Sequence, residues 1–308
     1  MENQNSRGHL CAFFSILVWG TTFISTKVLL RDFNPIEILL YRFAIGFLIL
    51  LFLYPRRMKF RTAKQEITFA LAGLCGVCMY YLLENIALTY TMASNVGVII
   101  SAAPFFTAML SQIVMKKEEK LHINFFIGFF VAMVGICLIS FNGSRLQLNP
   151  LGDFLSILAA LVWACYSILI KRISSFGYHT VQTTRRVFAY GILFMIPSVY
   201  FFEFKIDMAL LQKPINLLNI AFLGIGASAL CFVTWNYAVK LLGAIRTSIY
   251  IYMVPVITIV TSVIILREQV TPVAMLGAIL TLVGLLISEN KGVWKPLNKN
   301  NIWNWKKL

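Results

Sequence analysis

The chain has 308 residues, of which 59% are hydrophobic and only 13% are charged. A composition this apolar excludes an ordinary soluble domain and predicts an integral membrane protein embedded in the lipid bilayer. The formal net charge of +15 does not indicate a nucleic-acid partner, because the lysines and arginines lie mainly at the ends of apolar segments, as the positive-inside rule describes.

Segments suited to cross a membrane recur along the chain, and about 20 helical residues span the hydrocarbon core. Seven windows contain no Asp, Glu, Lys or Arg: Gly8–Thr26, Ile67–Leu83, Leu121–Ser144, Phe154–Ile170, Pro214–Val239, Thr247–Leu266 and Gln269–Ser288. Two more segments, Pro35–Tyr54 and Thr180–Phe202, carry charges inside them. The stretch Asn85–Met115 is too long for one crossing and divides at Thr91–Asn95, so ten helices are predicted.

The second half of the chain repeats the first in order. Pairs at a spacing of 144 are Trp19 with Trp163, Lys27 with Lys171 and Arg42 with Arg186, and pairs at 151 include Asn85 with Asn236 and Pro104 with Pro255. Each half holds five helices, an odd number, so the two copies insert upside down relative to each other. Inverted repeats place a shared site near the midplane and let access alternate between the two sides.

The expected fold class is an all-α membrane protein whose ten transmembrane helices form two inverted five-helix repeats. We expect the first repeat within residues 1–145, the second within 146–290, and a basic, aromatic tail at 291–308 that anchors at the membrane surface or is disordered. The first helix lacks a cleavage site, so we expect it to stay uncleaved. The lysine and arginine bias predicts that both termini are cytoplasmic, in a bacterial inner membrane or a plasma membrane.

Pro104 and Pro255 lie at equivalent places, in the middle of predicted helices four and nine. Proline removes a backbone donor and bends a helix, and in lipid the freed carbonyl needs a partner inside the protein. Bends at the same place in both halves indicate moving parts around a central path, so we expect both prolines to act as hinges.

Glu84 is a carboxylate inside an apolar helix, where a charge costs roughly 2.5–3.5 kcal/mol on insertion scales. Arg42 and Lys27 are predicted at a similar depth. We expect Glu84 to pair with one of them and to release it on protonation, which would couple transport to protons. The alternative is a permanent ion pair that holds the helices together.

Arg186, with Arg185 and Arg246, forms the equivalent basic group of the second half, near Asn236 and Lys240. Basic groups that face an apolar cavity would suit a carboxylate or phosphate on a substrate. The alternative is that these side chains extend to the headgroups of the inner leaflet.

Trp19 and Trp163 are the best aromatic candidates for a cavity wall, because they occupy equivalent positions about midway along helices one and six. The remaining predicted substrate-binding residues are Arg42, Tyr80, Asn95, Tyr166, Trp235, Asn236 and Tyr250. Together they would suit an amphipathic or aromatic metabolite. The alternative is that these aromatic residues only pack or lie at the membrane interface.

No metal site or cofactor is predicted. The three histidines are dispersed at helix ends, and Cys75 and Cys78 are expected to pack rather than to bind metal. Glycines seven residues apart on helices five and ten permit close helix contacts, so the chain is expected to be a monomer or a homodimer through helices five and ten.

The ordered set of features resembles the EamA-type branch of the drug/metabolite transporter superfamily over residues 9–289. The residues that carry the resemblance are Trp19-Gly20, Arg42-Phe43, Pro104, Pro255, Glu119 and Glu268. The resemblance implies a carrier of small metabolites, driven by protons or by exchange and often an exporter of amino acids. It also implies a central cavity lined by helices one, three, four, six, eight and nine.

A secondary active transporter that exports amino acids or related small metabolites is therefore the expected function. An organic-anion or phosphorylated-metabolite carrier is the alternative, favoured by the arginines. A membrane-embedded lipid-modifying enzyme would need clustered acidic residues or histidines, and none is present, so we expect no enzyme. A membrane scaffold would not need duplicated bends or charges inside the membrane.

Overall fold

In the computed structural model, the described residues are 2–56, 58, 62–91, 93–114, 123–140, 149–201, 207–266 and 271–289. They form ten long helical segments, numbered in chain order. In the first half, helix one is Glu2–Leu29, helix two Pro35–Leu53, helix three Ala63–Tyr90, helix four Ala93–Ile100 with Ala103–Val114, and helix five Ile123–Ser140. In the second half, helix six is Pro150–Ser174, helix seven Thr180–Phe201, helix eight Pro214–Leu242, helix nine Ala244–Ile249 with Tyr250–Tyr252 and Met253–Leu266, and helix ten Pro272–Glu289. A short helix, Met208–Gln212, precedes helix eight. The predicted all-helical fold is confirmed.

Six of these helices (one, two, three, four, six and eight) are long and apolar enough to cross a bilayer. Helices five, nine and ten contain shorter apolar helices, and helix seven has 22 residues with two arginines near its start. A proline stands at the first position of helices two, six and eight, where its missing N–H costs no helical hydrogen bond. The chain is therefore a multi-pass membrane protein.

The helices of the two halves interleave. Helix one packs against helices eight and nine, and helix six packs in the equivalent way against helices three and four. Helix two contacts helix eight, and in the equivalent way helix seven contacts helix three. Gly8 at the start of helix one meets Leu242 at the end of helix eight, and Gly152 near the start of helix six meets Tyr90 at the end of helix three. These pairs are antiparallel, as an inverted duplication requires.

Helices five and ten pack closely within one chain. A Cβ atom built on Gly135 would come within 2.5 Å of the Gly277 carbonyl oxygen, and one on Gly284 within 2.6 Å of the Gly128 oxygen. Only the missing side chains let the two backbones approach so closely. A homodimer through helices five and ten stays a prediction, and it would have to use other faces of these helices.

The halves are also joined by polar contacts at the end of the bundle where helix one begins, which we name the basic end. There Arg185 of helix seven donates to the carbonyl oxygens of Tyr54 at 2.5 Å and Arg56 at 2.7 Å. Both carbonyls follow the last turn of helix two, where backbone acceptors lack helical partners. Arg185 therefore ties the end of helix two to the second half.

A different contact joins the halves at the opposite end, which we name the far end. The Asp32 carboxylate, between helices one and two, accepts hydrogen bonds from Asn216 at 2.7 Å and Lys213 at 3.1 Å. The hydrogen bond from Asn216, followed by that from Lys213, holds the pKa of Asp32 below its ordinary value. This pair is partly exposed to solvent.

Helices three and eight each contain a π-helical turn, at Leu74–Met79 and at Phe222–Leu230. At the spacing of 151 that relates the halves, the turn in helix three corresponds to part of the turn in helix eight, so the two π turns occupy equivalent places. A π turn inserts an extra residue and thereby re-aims the side chains that follow, and such turns are frequent at functional sites. In helix three the turn is followed at once by Tyr80 and Tyr81.

Pro104 and Pro255 each stand just after a break in their helix. Helix four is interrupted before Pro104, and helix nine contains a 3-10 turn at Tyr250–Tyr252 before Pro255. Because proline has no N–H, it cannot donate to the carbonyl four residues earlier, which belongs to Ile100 in helix four and to Ile251 in helix nine. The breaks lie where hinges are predicted, and their movement stays a prediction.

Candidate functional site

A cavity lies at the centre of the bundle, between helices one, three, four, six and nine. Small-molecule sites usually have mostly apolar walls with a few polar groups. The walls here are mainly aromatic and aliphatic: Ile16, Trp19, Thr22, Phe23, Tyr80, Tyr81, Glu84, Ile100, Trp163, Ile251 and Val254. Both halves of the chain contribute to the cavity.

Trp19 and Trp163, the equivalent tryptophans of helices one and six, meet at the cavity wall. Their ring centroids are 5.3 Å apart and the rings are nearly perpendicular, at 85°. Tyr80 also packs against Trp163, at 4.7 Å between centroids. Aromatic contacts of this kind contribute about 0.5–1.5 kcal/mol each beyond the area they bury. The rings of Trp19, Trp163 and Tyr80 come from both halves of the chain, and we name them the aromatic wall of the cavity.

Trp235 of helix eight lies behind this wall, fully buried and 5.1 Å from the Trp19 ring. The Trp19 indole N–H donates to the Ala227 carbonyl in the π turn of helix eight, at 2.9 Å. The indole N–H groups of Trp163 and Trp235 have no hydrogen-bond partner among the described residues. Trp19 is thus fixed by the second half, whereas Trp163 keeps a free donor beside the cavity.

Glu84 provides the carboxylate of the cavity wall and is only 3% exposed. With a helical rise of about 1.5 Å per residue, it lies about 9 Å from the end of helix three at Tyr90. The groups that interact electrostatically with it are the Tyr80 hydroxyl and the Arg42 guanidinium. An ionisable residue at such depth in a membrane protein marks a functional site by default.

The ion pair that the sequence suggests for Glu84, with Arg42 or Lys27, does not occur among the described residues of this structure. Lys27 Nζ instead donates to the Leu88 carbonyl at 2.7 Å. There it satisfies an acceptor in the last turn of helix three, where carbonyls lack helical partners and positive charge is favourable. Arg42 is covered by the ring of Tyr81.

Arg42 of helix two lies directly behind the cavity wall and is 1% exposed. Its Nε donates to Ser228 Oγ in the π turn of helix eight at 3.0 Å. Its guanidinium carbon stands 4.3 Å from the centre of the Tyr81 ring and 5.2 Å from that of Phe43. The guanidinium also interacts with the Tyr81 hydroxyl, but Nη1 and Nη2 have no partner in hydrogen-bond geometry among the described residues.

Tyr166 and Asn236 connect helices six, seven and eight on the basic side of the aromatic wall. The Tyr166 hydroxyl donates to Asn236 Oδ1 at 2.8 Å, and Asn236 Nδ2 donates to Thr184 Oγ1 at 3.0 Å. The Tyr166 ring also packs against Trp163, at 5.1 Å. Asn236 in turn lines a smaller pocket together with Lys240. These residues connect the three helices next to Trp163.

Arg186 does not reach the cavity. Its Nη2 and Nε lie 2.5 Å and 2.6 Å from Glu66 Oε1 on helix three, and the Tyr190 hydroxyl donates to the same oxygen at 2.5 Å. The two charged side chains are 35% and 16% exposed. In this conformation Arg186 therefore joins the halves through a partly exposed ion pair that the sequence did not reveal.

Tyr250 also makes a contact between helices rather than lining the cavity. Its hydroxyl lies 2.7 Å from His9 Nδ1, which connects helix nine to the start of helix one. The predictions that fall outside the described residues concern the side chain of Asn95, Glu119, Glu268 and the tail 291–308.

Sequence reasoning did not select Tyr81, Phe23 or Ile100, although all three line the cavity. Helical spacing carried the signal for two of them, because Phe23 stands one turn after Trp19 and Tyr81 stands one turn before Glu84. Ile100 gave no signal, since an apolar residue in an apolar helix looks the same whether it faces a cavity, a neighbouring helix or lipid.

Within the described residues, no three side chains of His, Cys, Asp or Glu come together in a way that could hold a metal ion. Cys75 and Cys78 are free thiols on helix three. The groups that do meet at the cavity are aromatic rings, one carboxylate and a few hydroxyls, which suit the binding of a small molecule.

The model of the EamA-like transporter family matches the chain twice, over residues 6–141 and 150–289. Each match covers one half of the chain. The order of helices and the exchange of equivalent contacts between the halves agree with this double match.

Several proteins named as uncharacterised transporters are similar over most of their length. One from Archaeoglobus fulgidus is 25% identical over 294 residues, which cover 94% of this chain and 99% of that protein. YyaM of Bacillus subtilis is 26% identical over 291 residues, covering 90% and 91%. The inner membrane transporter YedA of Escherichia coli is 24% identical over 251 residues, covering 80% and 79%.

A solved crystal structure has the same fold, with a TM-score of 0.76 over 91% of this chain and 97% of that one, at 18% identity. The likeness in fold, the relatives and the family match in both halves point the same way. The chain belongs to the EamA-like transporter family of the drug/metabolite transporter superfamily and is a membrane transporter.

Proposed function

We propose that this chain is a secondary active transporter that exports amino acids or related small metabolites by alternating access around the central cavity. One observation carries the proposal: both halves contribute to an aromatic cavity whose wall holds a buried carboxylate. The rings would hold the apolar part of the cargo. Glu84 would hold its amino group or carry a proton.

The contacts between the halves support alternating access. Arg185 and the Arg186–Glu66 pair join the halves at the basic end, and Asp32 joins them to Lys213 at the far end. Rocking one half against the other would open one set of contacts while the other set closes. Alternation between the two sides then needs no change within the aromatic wall.

Glu84 is proposed as the site of proton coupling. Protonation would neutralise the carboxylate, and its loss would restore a negative charge beside the aromatic rings. Proton and cargo would then compete for one group, which couples their movements. Exchange of one cargo molecule for another is the other form of coupling that the same cavity permits.

The basic end is proposed to face the cytoplasm, so that both termini are cytoplasmic in an inner or plasma membrane. Among the described residues, the basic end carries Arg7, Arg56, Lys64, Lys171, Arg172, Lys240 and Arg246, whereas Arg31 and Lys213 lie toward the far end. Positive charge concentrates on cytoplasmic loops of membrane proteins. The relative YedA is named an inner membrane transporter, which supports this location.

Counterflow in proteoliposomes tests the proposal. The purified full chain is reconstituted, and the exchange of labelled amino acids and organic acids is measured. We expect exchange of one chemical group of compounds, and Trp163→Ala is expected to abolish it because the aromatic wall is lost. The matched control is Tyr200→Ala on helix seven, whose side chain is 86% exposed. Absence of any exchange by the wild-type chain would overturn the proposal.

An organic-anion or phosphorylated-metabolite carrier is the second candidate, because Arg42 keeps free donors behind the cavity wall. The same counterflow panel separates the two, since only the second candidate exchanges acids that have no amino group. A lipid-modifying enzyme or a scaffold would show no exchange at all. The proposal assigns no catalysis to the chain.

A further inference from the structure

The wall of the cavity formed by Tyr81 has a cation directly behind it. The Tyr81 ring lines the cavity on one side, and the Arg42 guanidinium lies 4.3 Å from the ring centre. Arg42 itself is not a lining residue. A single aromatic side chain therefore separates the cargo space from a buried positive charge.

We propose that Arg42 recognises an anionic group of the cargo and that Tyr81 controls access to it from the cavity. The inference rests on the proposed transport function and deepens it by naming the cargo class. The cargo is a compound with an apolar or aromatic body and one carboxylate or similar small anionic group.

Arg42 is buried among the membrane helices. A charged side chain inside a membrane protein almost always pairs, faces a cavity or contacts backbone carbonyls. Arg42 uses Nε for Ser228 and its guanidinium interacts with the Tyr81 hydroxyl, while Nη1 and Nη2 have no partner in hydrogen-bond geometry among the described residues. These two nitrogens form the planar fork that binds a carboxylate through two parallel hydrogen bonds.

Other arginines of the same chain provide a comparison. Arg186 donates to the Glu66 carboxylate, and Arg185 donates through Nη1 and Nη2 to two carbonyl oxygens. Both are more exposed than Arg42 and have oxygen partners at their terminal nitrogens. Of these three arginines, the most deeply buried one is the one whose Nη1 and Nη2 have no oxygen partner in hydrogen-bond geometry among the described residues.

Tyr81 of helix three is held by other aromatic rings. Its ring contacts Phe43 at 5.1 Å, Tyr80 at 4.7 Å and Phe232 at 6.1 Å between centroids. Displacement of the ring from these neighbours would open the guanidinium to the cavity. Glu84 stands one turn further along the same helix, so the opened site would present a carboxylate and a guanidinium to opposite ends of one cargo molecule.

A transport experiment with matched compounds tests this inference. The best-exchanged acid of the counterflow screen is compared with its primary amide, which has the same shape without the charge. We expect the wild-type chain to exchange the acid about tenfold or more faster than the amide, because hydrogen bonds to charged groups are strong. Arg42→Gln is expected to remove this preference by slowing exchange of the acid only.

Two further variants separate recognition from structure. Ser228→Ala removes the contact of Arg42 with helix eight and is expected to leave the acid-to-amide ratio within about twofold, since the fork remains. Tyr81→Ala uncovers the guanidinium permanently and is expected to increase binding of acids relative to amides.

The outcomes are distinct. Equal exchange of acid and amide by the wild-type chain, or an unchanged preference in Arg42→Gln, overturns the inference and leaves the transport function standing. No exchange of any compound by the wild-type chain overturns both. Should Arg42→Gln not fold, the thermal stabilisation of the wild-type chain by acid and by amide decides, because a ligand stabilises only the state it binds. Stabilisation by the amide to the same degree as by the acid overturns the inference.

Discussion

Two pairs of equivalent helices differ in how far they keep the symmetry of the duplication. They are helices five and ten, and helices two and seven. Helices five and ten touch through glycines of both, so their contact looks the same from either half. Helices two and seven carry equivalent arginines with different surroundings, because Arg42 is buried behind the cavity wall and Arg186 is paired with Glu66. Symmetry is kept in the contact between helices five and ten and lost between helices two and seven.

The largest effect is expected at Glu84, where the equivalent residue of the second half is Trp235. Glu84→Gln is expected to abolish transport driven by a pH gradient while counterflow exchange persists, because an amide cannot take up or release a proton. Uptake into proteoliposomes with and without an imposed gradient checks this.

The matched control for this change is Glu66→Gln, which removes a carboxylate that lies in an ion pair away from the cavity. It is expected to keep a response to the gradient, although the loss of this contact between the halves changes the overall transport rate. Identical pH dependence of Glu84→Gln and the wild-type chain would rule out proton coupling through this residue.

The symmetric contact gives the next largest effect. Gly284→Ala places a methyl group against the backbone of helix five and is expected to destabilise the protein by about 1–3 kcal/mol, as overpacking does. The control is Gly226→Ala, where the nearest heavy atom is 3.6 Å from the new carbon. Thermal unfolding in detergent measures both, and equal midpoints for the two variants would show that helices five and ten are not held in close contact.

Removing the partner of Arg42 and removing the partner of Arg186 are expected to lower the stability by different amounts. Ser228→Ala leaves the buried Nε of Arg42 without its partner, which is expected to cost about 1–3 kcal/mol. Glu66→Gln breaks a partly exposed pair and is expected to cost less, about 1 kcal/mol or below. Unfolding midpoints of the two variants give the order, and a larger loss for Glu66→Gln would reverse the comparison.

The smallest effect is expected at Asp32, at the far end. Its pKa is lowered in the folded state, first by the hydrogen bond from Asn216 and then by Lys213. Its contribution is therefore present above the unfolded pKa of about 3.9 and lost as pH falls through the lower folded value. The midpoint difference between the wild-type chain and Asp32→Asn should shrink as the pH is lowered in this range. A difference that does not change with pH would show that the carboxylate charge contributes nothing.

Much of the fold is predictable from the sequence, because length and apolarity define membrane helices and the internal repeat defines their pairing. The spacing of 144 also marks Trp19 and Trp163 as equivalent residues, and their two rings do meet at the cavity wall. The π turns could not be predicted, since they arise from packing between helices rather than from residue type. The same holds for Arg186, whose partner Glu66 lies 120 positions away in the sequence and becomes a neighbour only when helices three and seven meet.

The glycine contact between helices five and ten has a consequence for how the protein moves. Among the described residues, neither helix contributes a side chain to the cavity lining, and their backbones approach too closely to slide past each other without a clash. We expect this pair to serve as the fixed pivot of the transport cycle. The other eight helices would swing about it, and a cross-link between helices five and ten should leave turnover intact.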